Sequence, residues 1–93
     1  MMAETTLTIT HAGGLHLRAA ARFVQTAAQF ASAVRLRNAS RPGAPVLDAK
    51  SLLGIMQSGV AQGQQVWISA EGPDADAALE ALRLLVEHDF EGS

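Results

Sequence analysis

Gly13-Gly14-Leu15-His16-Leu17-Arg18, residues 13–18, stands between two stretches of different hydrophobic period, and that change of period decides the fold. Upstream, residues 5–10 alternate threonine with Leu7 and Ile9, which predicts a strand with one buried face. Downstream, apolar residues recur at Ala20, Phe23, Val24, Ala27, Ala28 and Phe30, the spacing of an amphipathic helix. The helix is expected to begin near His16 and run to about Phe30. The glycine pair therefore turns the chain from a strand into a helix and delivers a histidine to the helix's first turn.

Working outward, alternation returns at residues 33–37, where Val34 and Leu36 face one way and Arg35 and Arg37 the other. Residues 38–45, Asn-Ala-Ser-Arg-Pro-Gly-Ala-Pro, concentrate turn formers and predict a hairpin loop before a short third strand at 46–49. Ser51 before Leu52-Leu53-Gly54-Ile55-Met56 reads as the N-cap of a short helix that Gly59 closes. Val66, Ile68 and Ala70 alternate with Trp67, Ser69 and Glu71 in a fourth strand, which Gly72-Pro73-Asp74 stops. Trp67, on the polar phase, is expected to cover the open sheet face. Asp74 is expected to cap a last helix with Ala78, Leu79, Leu82, Leu85 and Val86 on one stripe and Asp76 in its first turn. The order is β-α-β-β-α-β-α. It predicts one α+β domain over residues 1–93, an open-faced sandwich of a four-stranded antiparallel sheet with three helices on one face.

Composition narrows the function. Ninety-three residues, 48% hydrophobic and 17% charged, suit one globular domain too small to hold both a core and a deep substrate cleft, which favours a binding or carrier module. There is no cysteine, so disulfides, thiolate metal sites and a cysteine nucleophile are excluded. His11 and His88 lack ligand-like spacing with carboxylates, and no cofactor or metal is expected. The N-terminus lacks a basic and apolar leader pattern and no apolar run is long enough to cross a bilayer, so a cytoplasmic protein without membrane insertion is expected. Basic residues lack aromatic interleaving, which argues against nucleic acid. The net charge of −2 is uneven: residues 1–50 carry +4 and residues 51–93 carry −6, a split suited to a basic face that meets a phosphate or an acidic partner.

The placement of His16 carries the chemistry. The first N–H groups of a helix lack intrahelical acceptors and bear partial positive charge, so an anion there meets donors already in position. A phosphoryl group on the His16 ring would reach them, and Arg18 would add a charge-assisted hydrogen bond. Neutral imidazole is a nucleophile near pH 7, and the phosphorylated ring is a good leaving group once protonated. The bond is easily made and easily passed on. Leu52, Leu53 and Met56 sit on a helix too short to bury every side, and with Leu17 they predict an exposed apolar docking patch near His16.

Gly-Leu-His-x-Arg at 14–18, Lys-Ser-Leu-Leu-Gly-Ile-Met at 50–56 and Gly-Pro-Asp at 72–74 together resemble the HPr family. These are the histidine phosphocarriers of the bacterial phosphoenolpyruvate:sugar phosphotransferase system. The resemblance spans about residues 5–88. It implies the same sandwich, phosphorylation of His16 at Nδ1 by enzyme I at the expense of phosphoenolpyruvate, and transfer to sugar-specific enzyme II A-type acceptors by a monomer. It also matches Ser51 to the serine that a dedicated HPr kinase/phosphorylase modifies in many members. Leu17 and Ala19 depart from the family's usual small residue and proline, and the 38–45 loop is a few residues longer than usual. Two other readings remain open: an HPr-like regulator of a nitrogen-related or kinase-linked phosphorelay, and an interaction domain in which His16 is idle.

Overall fold

A computed structural model describes residues 1–91 of the chain. Its elements are β1 (Met2–Thr8), α1 (Leu17–Ala27), β2 (Ala33–Asn38), β3 (Leu47–Asp48), α2 (Leu52–Gln57), β4 (Gln65–Glu71) and α3 (Ala75–Glu87). The strands form one antiparallel sheet in the order β1-β4-β2-β3. Ile68, in the central strand β4, lies opposite Thr5 of β1 on one side and Leu36 of β2 on the other. The predicted element order and α+β class are both present.

One face of the sheet supplies Val34, Leu36, Val66, Ile68 and Ala70 to the core. The helices cover it with Ala20, Phe23 and Ala27 from α1, Ile55 from α2, and Ala78 and Leu82 from α3. Small alanines let the helices approach the sheet, while Phe23, Leu36, Ile55, Ile68 and Leu82 fill the layer between. Each of these large side chains contributes about 1.5–3 kcal/mol by leaving water. On the opposite face Trp67 donates its indole N–H to Glu4 Oε1 at 3.0 Å and lies 5.5 Å from the Arg37 guanidinium, covering the open sheet as expected.

Several boundaries differ from expectation. β1 spans Met2–Thr8 rather than 5–10, because Met2, Ala3 and Glu4 also pair with β4, while Ile9 leaves the ladder. The Ile9 N–H donates to Gln64 O at 2.9 Å and its carbonyl accepts from Gly63 N at 2.7 Å, tying the segment to the turn before β4. α1 ends at Ala27, not Phe30, because the last turn tightens: Gln29 and Phe30 donate to carbonyls three residues back, and the Lys50 ammonium takes the Phe30 carbonyl at 2.7 Å. β3 shortens from 46–49 to two residues, with Val46 exposed.

Asn38 belongs to β2 and not to the loop. Its buried amide donates to Ser58 O and Gln64 Oε1 and accepts from Ser40 N, which shapes the turn from inside. Asp74 is the residue before α3, yet its side chain makes no capping bond there. It crosses to the α1–β2 connection instead and accepts from Ala31 N at 2.8 Å, Ser32 N at 2.9 Å and the Ser32 hydroxyl. Three donors to one carboxylate outweigh the single bond a cap would supply. Ser51 does cap α2, accepting from Gly54 N at 3.1 Å, and Gly59 follows that helix's C-cap, Ser58.

Candidate functional site

The turn that leads into α1 is built for close approach. Gly14 has φ 63°, and a Cβ there would fall 2.5 Å from Val60 O, so the backbone passes where only glycine fits. The next N–H, of Leu15, donates to that same Val60 carbonyl at 3.0 Å, and the buried Leu15 side chain anchors the start of the helix. Gly13 has a different reason to lack a side chain: a Cβ would lie 2.2 Å from Cδ2 of His16. The ring occupies the space above Gly13.

His16 is the N-cap of α1, with extended backbone, and its Nδ1 accepts from the Arg18 N–H at 3.2 Å. An accepting Nδ1 carries no proton, which assigns the proton of the neutral ring to Nε2. The lone pair thus faces the helix end. The first N–H in α1 to reach a backbone carbonyl is that of Ala20, which donates to His16 O at 2.8 Å. The Leu17, Arg18 and Ala19 N–H groups precede it and remain directed toward the cap.

A depression of about 250 Å³ opens beside the ring. His11, His16, Arg18 and Ala19 line one wall, and Asp89, Phe90 and Glu91 line the other. The second wall exists because Asp89 and Phe90 adopt φ of 53° and 61°, which bends the chain back after α3. Burial of Phe90, and the Thr10 hydroxyl donating to Asp89 Oδ1 at 3.1 Å, hold that conformation. The His11 ring centroid stands 4.8 Å from that of His16 and 5.9 Å from that of Phe90.

The structure brings His16 and Arg18 together in this depression, as expected from the sequence. Ser51 and the apolar residues of α2 are not part of its lining. Leu17, at 61% exposure, and Leu53, at 68%, point to solvent, as do Leu52 and Met56, while Gly54 and Ile55 bury the other side of α2. α1 and α2 pack against each other. His11, Asp89, Phe90 and Glu91 were not legible as site residues; only tertiary packing joins positions 11 and 90. No group of three His, Cys, Asp or Glu placed to hold a metal ion occurs among the described residues. No helix among them is long and apolar enough to cross a membrane.

Comparison with known proteins agrees with this geometry. Residues 3–88 match the family described as "PTS HPr component phosphorylation site". The chain is 39% and 41% identical to segments of the multiphosphoryl transfer proteins of Xanthomonas campestris and Vibrio cholerae, covering 86% and 87% of itself. It spans only 9% and 20% of those proteins' lengths. It is 38% identical to the phosphocarrier protein HPr of Cupriavidus necator over 96% of each chain. The crystal structure of HPr-C-His from Thermoanaerobacter tengcongensis superposes with a TM-score of 0.87 at 42% identity, covering 98% of each chain. With the strand order, the histidine-capped helix and these relatives in agreement, the chain belongs to the HPr family of phosphocarrier proteins of the phosphotransferase system.

Proposed function

We propose that His16 is the phosphoryl acceptor of this chain, and that the protein carries the group from phosphoenolpyruvate, through enzyme I, to sugar-specific enzyme II A-type proteins. The observation that carries this reading is the Arg18 N–H on His16 Nδ1, because it directs an unprotonated ring nitrogen at the start of a helix. In the transfer step the Nδ1 lone pair forms a bond to phosphorus. The bond from phosphorus to the donor atom breaks, and its electron pair stays with the donor. The phosphoryl oxygens then take over the N–H groups of the first turn, and Arg18 adds positive charge from the same depression. Because the partial charges are fixed before the group arrives, little reorganisation opposes transfer in either direction.

Leu17, Leu52, Leu53 and Met56 form the surface on which enzyme I and the acceptors dock, with methionine adapting to more than one partner. Ser51 adds control. A phosphate placed on it by an HPr serine kinase sits at the start of α2, where the helix end tolerates it, and presents about two negative charges to a docking partner.

The test is incubation with phosphoenolpyruvate and enzyme I followed by mass spectrometry. One phosphate on His16, labile in acid and stable in base, is expected, and His16→Ala should abolish it. No modification, or modification at His11 or His88, would sink the assignment.

A further inference from the structure

We propose that His11 is a positioning residue for phosphoryl transfer: its ring, backed by Phe90, holds the His16 ring with Nδ1 turned to the start of α1. The inference rests on His16 as acceptor and gives a role to a residue outside both the helix and its motif.

The His16 ring needs a second support. Its Cβ–Cγ torsion is broad, so packing and hydrogen bonds decide where Nδ1 points. The bond from the Arg18 N–H, at 3.2 Å, lies at the long end of the hydrogen-bond range and does not fix the ring by itself. Position 13, beside Cδ2, is glycine and offers no side chain to hold it. The His11 ring supplies the contact instead. Its centroid stands 4.8 Å from that of His16 with the planes tilted by 51°, the spacing of an attractive aromatic pair.

His11 is itself held in place. The Gly13 N–H donates to its Nδ1 at 3.2 Å, and the Gly14 N–H donates to its carbonyl at 2.9 Å. Thr10, next to it, is tied twice: its carbonyl accepts from Gln62 Nε2 at 3.2 Å, and its hydroxyl donates to Asp89 Oδ1 at 3.1 Å. Phe90, buried by the bend after α3, meets the His11 ring nearly edge-on, at 5.9 Å and 75°. Ring contacts therefore run from Phe90 through His11 to His16. Removing the middle ring leaves His16 room to tilt, which takes Nδ1 off the helix start. The exposed apolar residues Leu17, Leu52, Leu53 and Met56 lie outside the depression and are untouched by the change.

The experiment compares three variants. His11→Ala removes ring and acceptor together, His11→Asn keeps an acceptor for the Gly13 N–H without the ring, and His11→Phe keeps a ring without the acceptor. Single-turnover transfer from phosphorylated enzyme I gives a maximal rate and a half-saturating carrier concentration for each. His11→Ala and His11→Asn should lower the maximal rate by about tenfold to a hundredfold at unchanged half-saturation, and His11→Phe should return to within about threefold of the wild type. In NMR spectra of the unphosphorylated proteins, the His16 ring protons should shift in the Ala and Asn variants, where the neighbouring ring is gone. Cross-relaxation between the rings at 11 and 16 should persist in His11→Phe. Equal maximal rates in all four proteins, recovery by Asn and not by Phe, or a loss confined to half-saturation overturns the proposal while leaving His16 as acceptor. Failure of wild-type His16 to take up phosphate overturns both.

Discussion

Gly13 and His16 compete for one volume: the ring lies where the Cβ of any other residue at position 13 would be, 2.2 Å from Cδ2. The glycine does not adopt a left-handed conformation, so alanine there costs nothing in the backbone. All of its effect falls on the ring, which must turn away and give up the Arg18 N–H. Gly13→Ala should therefore lose a capping bond, roughly 0.5–2 kcal/mol in thermal unfolding. It should slow phosphorylation of His16 by about a hundredfold, the usual cost of displacing a reacting group by about 1 Å. A variant that transfers at the wild-type rate would show that the ring's position is not needed.

Arg18 presents the opposite case. Its side chain is exposed and makes no hydrogen bond among the described residues, so the fold does not depend on it. Arg18→Ala should leave the melting temperature nearly unchanged and slow transfer by about 1.5–3 kcal/mol, the contribution of one charged hydrogen bond in the transition state. Equal rates in a transfer assay would make Arg18 a surface charge only.

Ser51 separates capping from control. Ser51→Ala removes the acceptor for Gly54 N and should cost about 1 kcal/mol of stability while phosphoryl transfer continues. Ser51→Asp keeps a cap oxygen but adds negative charge beside the exposed Leu52 and Leu53, and it should weaken transfer to an acceptor without unfolding the chain. Unfolding curves and transfer rates on the two variants decide between a cap alone and a control point.

The Asp74 carboxyl is held below the usual aspartate range, first by the Ser32 hydroxyl and then by the Ala31 and Ser32 N–H groups. A carboxyl lowered on folding stabilises the protein fully above its unfolded value, about 3.9, and that contribution disappears as pH falls through the lower folded value. Asp74→Asn puts an amide donor against one of three donors. It should destabilise the protein strongly at pH 7 and progressively less below about pH 4. Denaturant unfolding at pH 7, 5 and 3 checks this; a difference independent of pH would mean that the charge contributes nothing.

These relationships show where sequence reading works and where it stops. Alternation placed β1, β2 and β4 because each turns one face to the helices, and Leu36, Val66 and Ile68 stand in the core for that reason, whereas the two-residue β3 was placed only by the turn formers before it. His16 was legible because a glycine turn before an amphipathic helix is a local pattern. Asp74 was not, since its position before a helix is the same whether it caps that helix or bridges to Ser32, 42 residues away. His11 and Phe90 lie beyond any local signal: their contact exists only after α3 has packed and the chain has bent at Asp89.

The central place of β4 has a consequence for biosynthesis. Gln65–Glu71 pairs with β1 on one side and β2 on the other, and β1 and β2 are not neighbours. Until the ribosome has released those residues, both earlier strands carry unsatisfied edges and an uncovered apolar face. Such edges are templates for pairing with another chain. Pairings this distant along the chain also slow folding, because loop closure must precede the reward of contact. Arg35 and Arg37 place two like charges along β2, a composition that disfavours edge-to-edge pairing between copies.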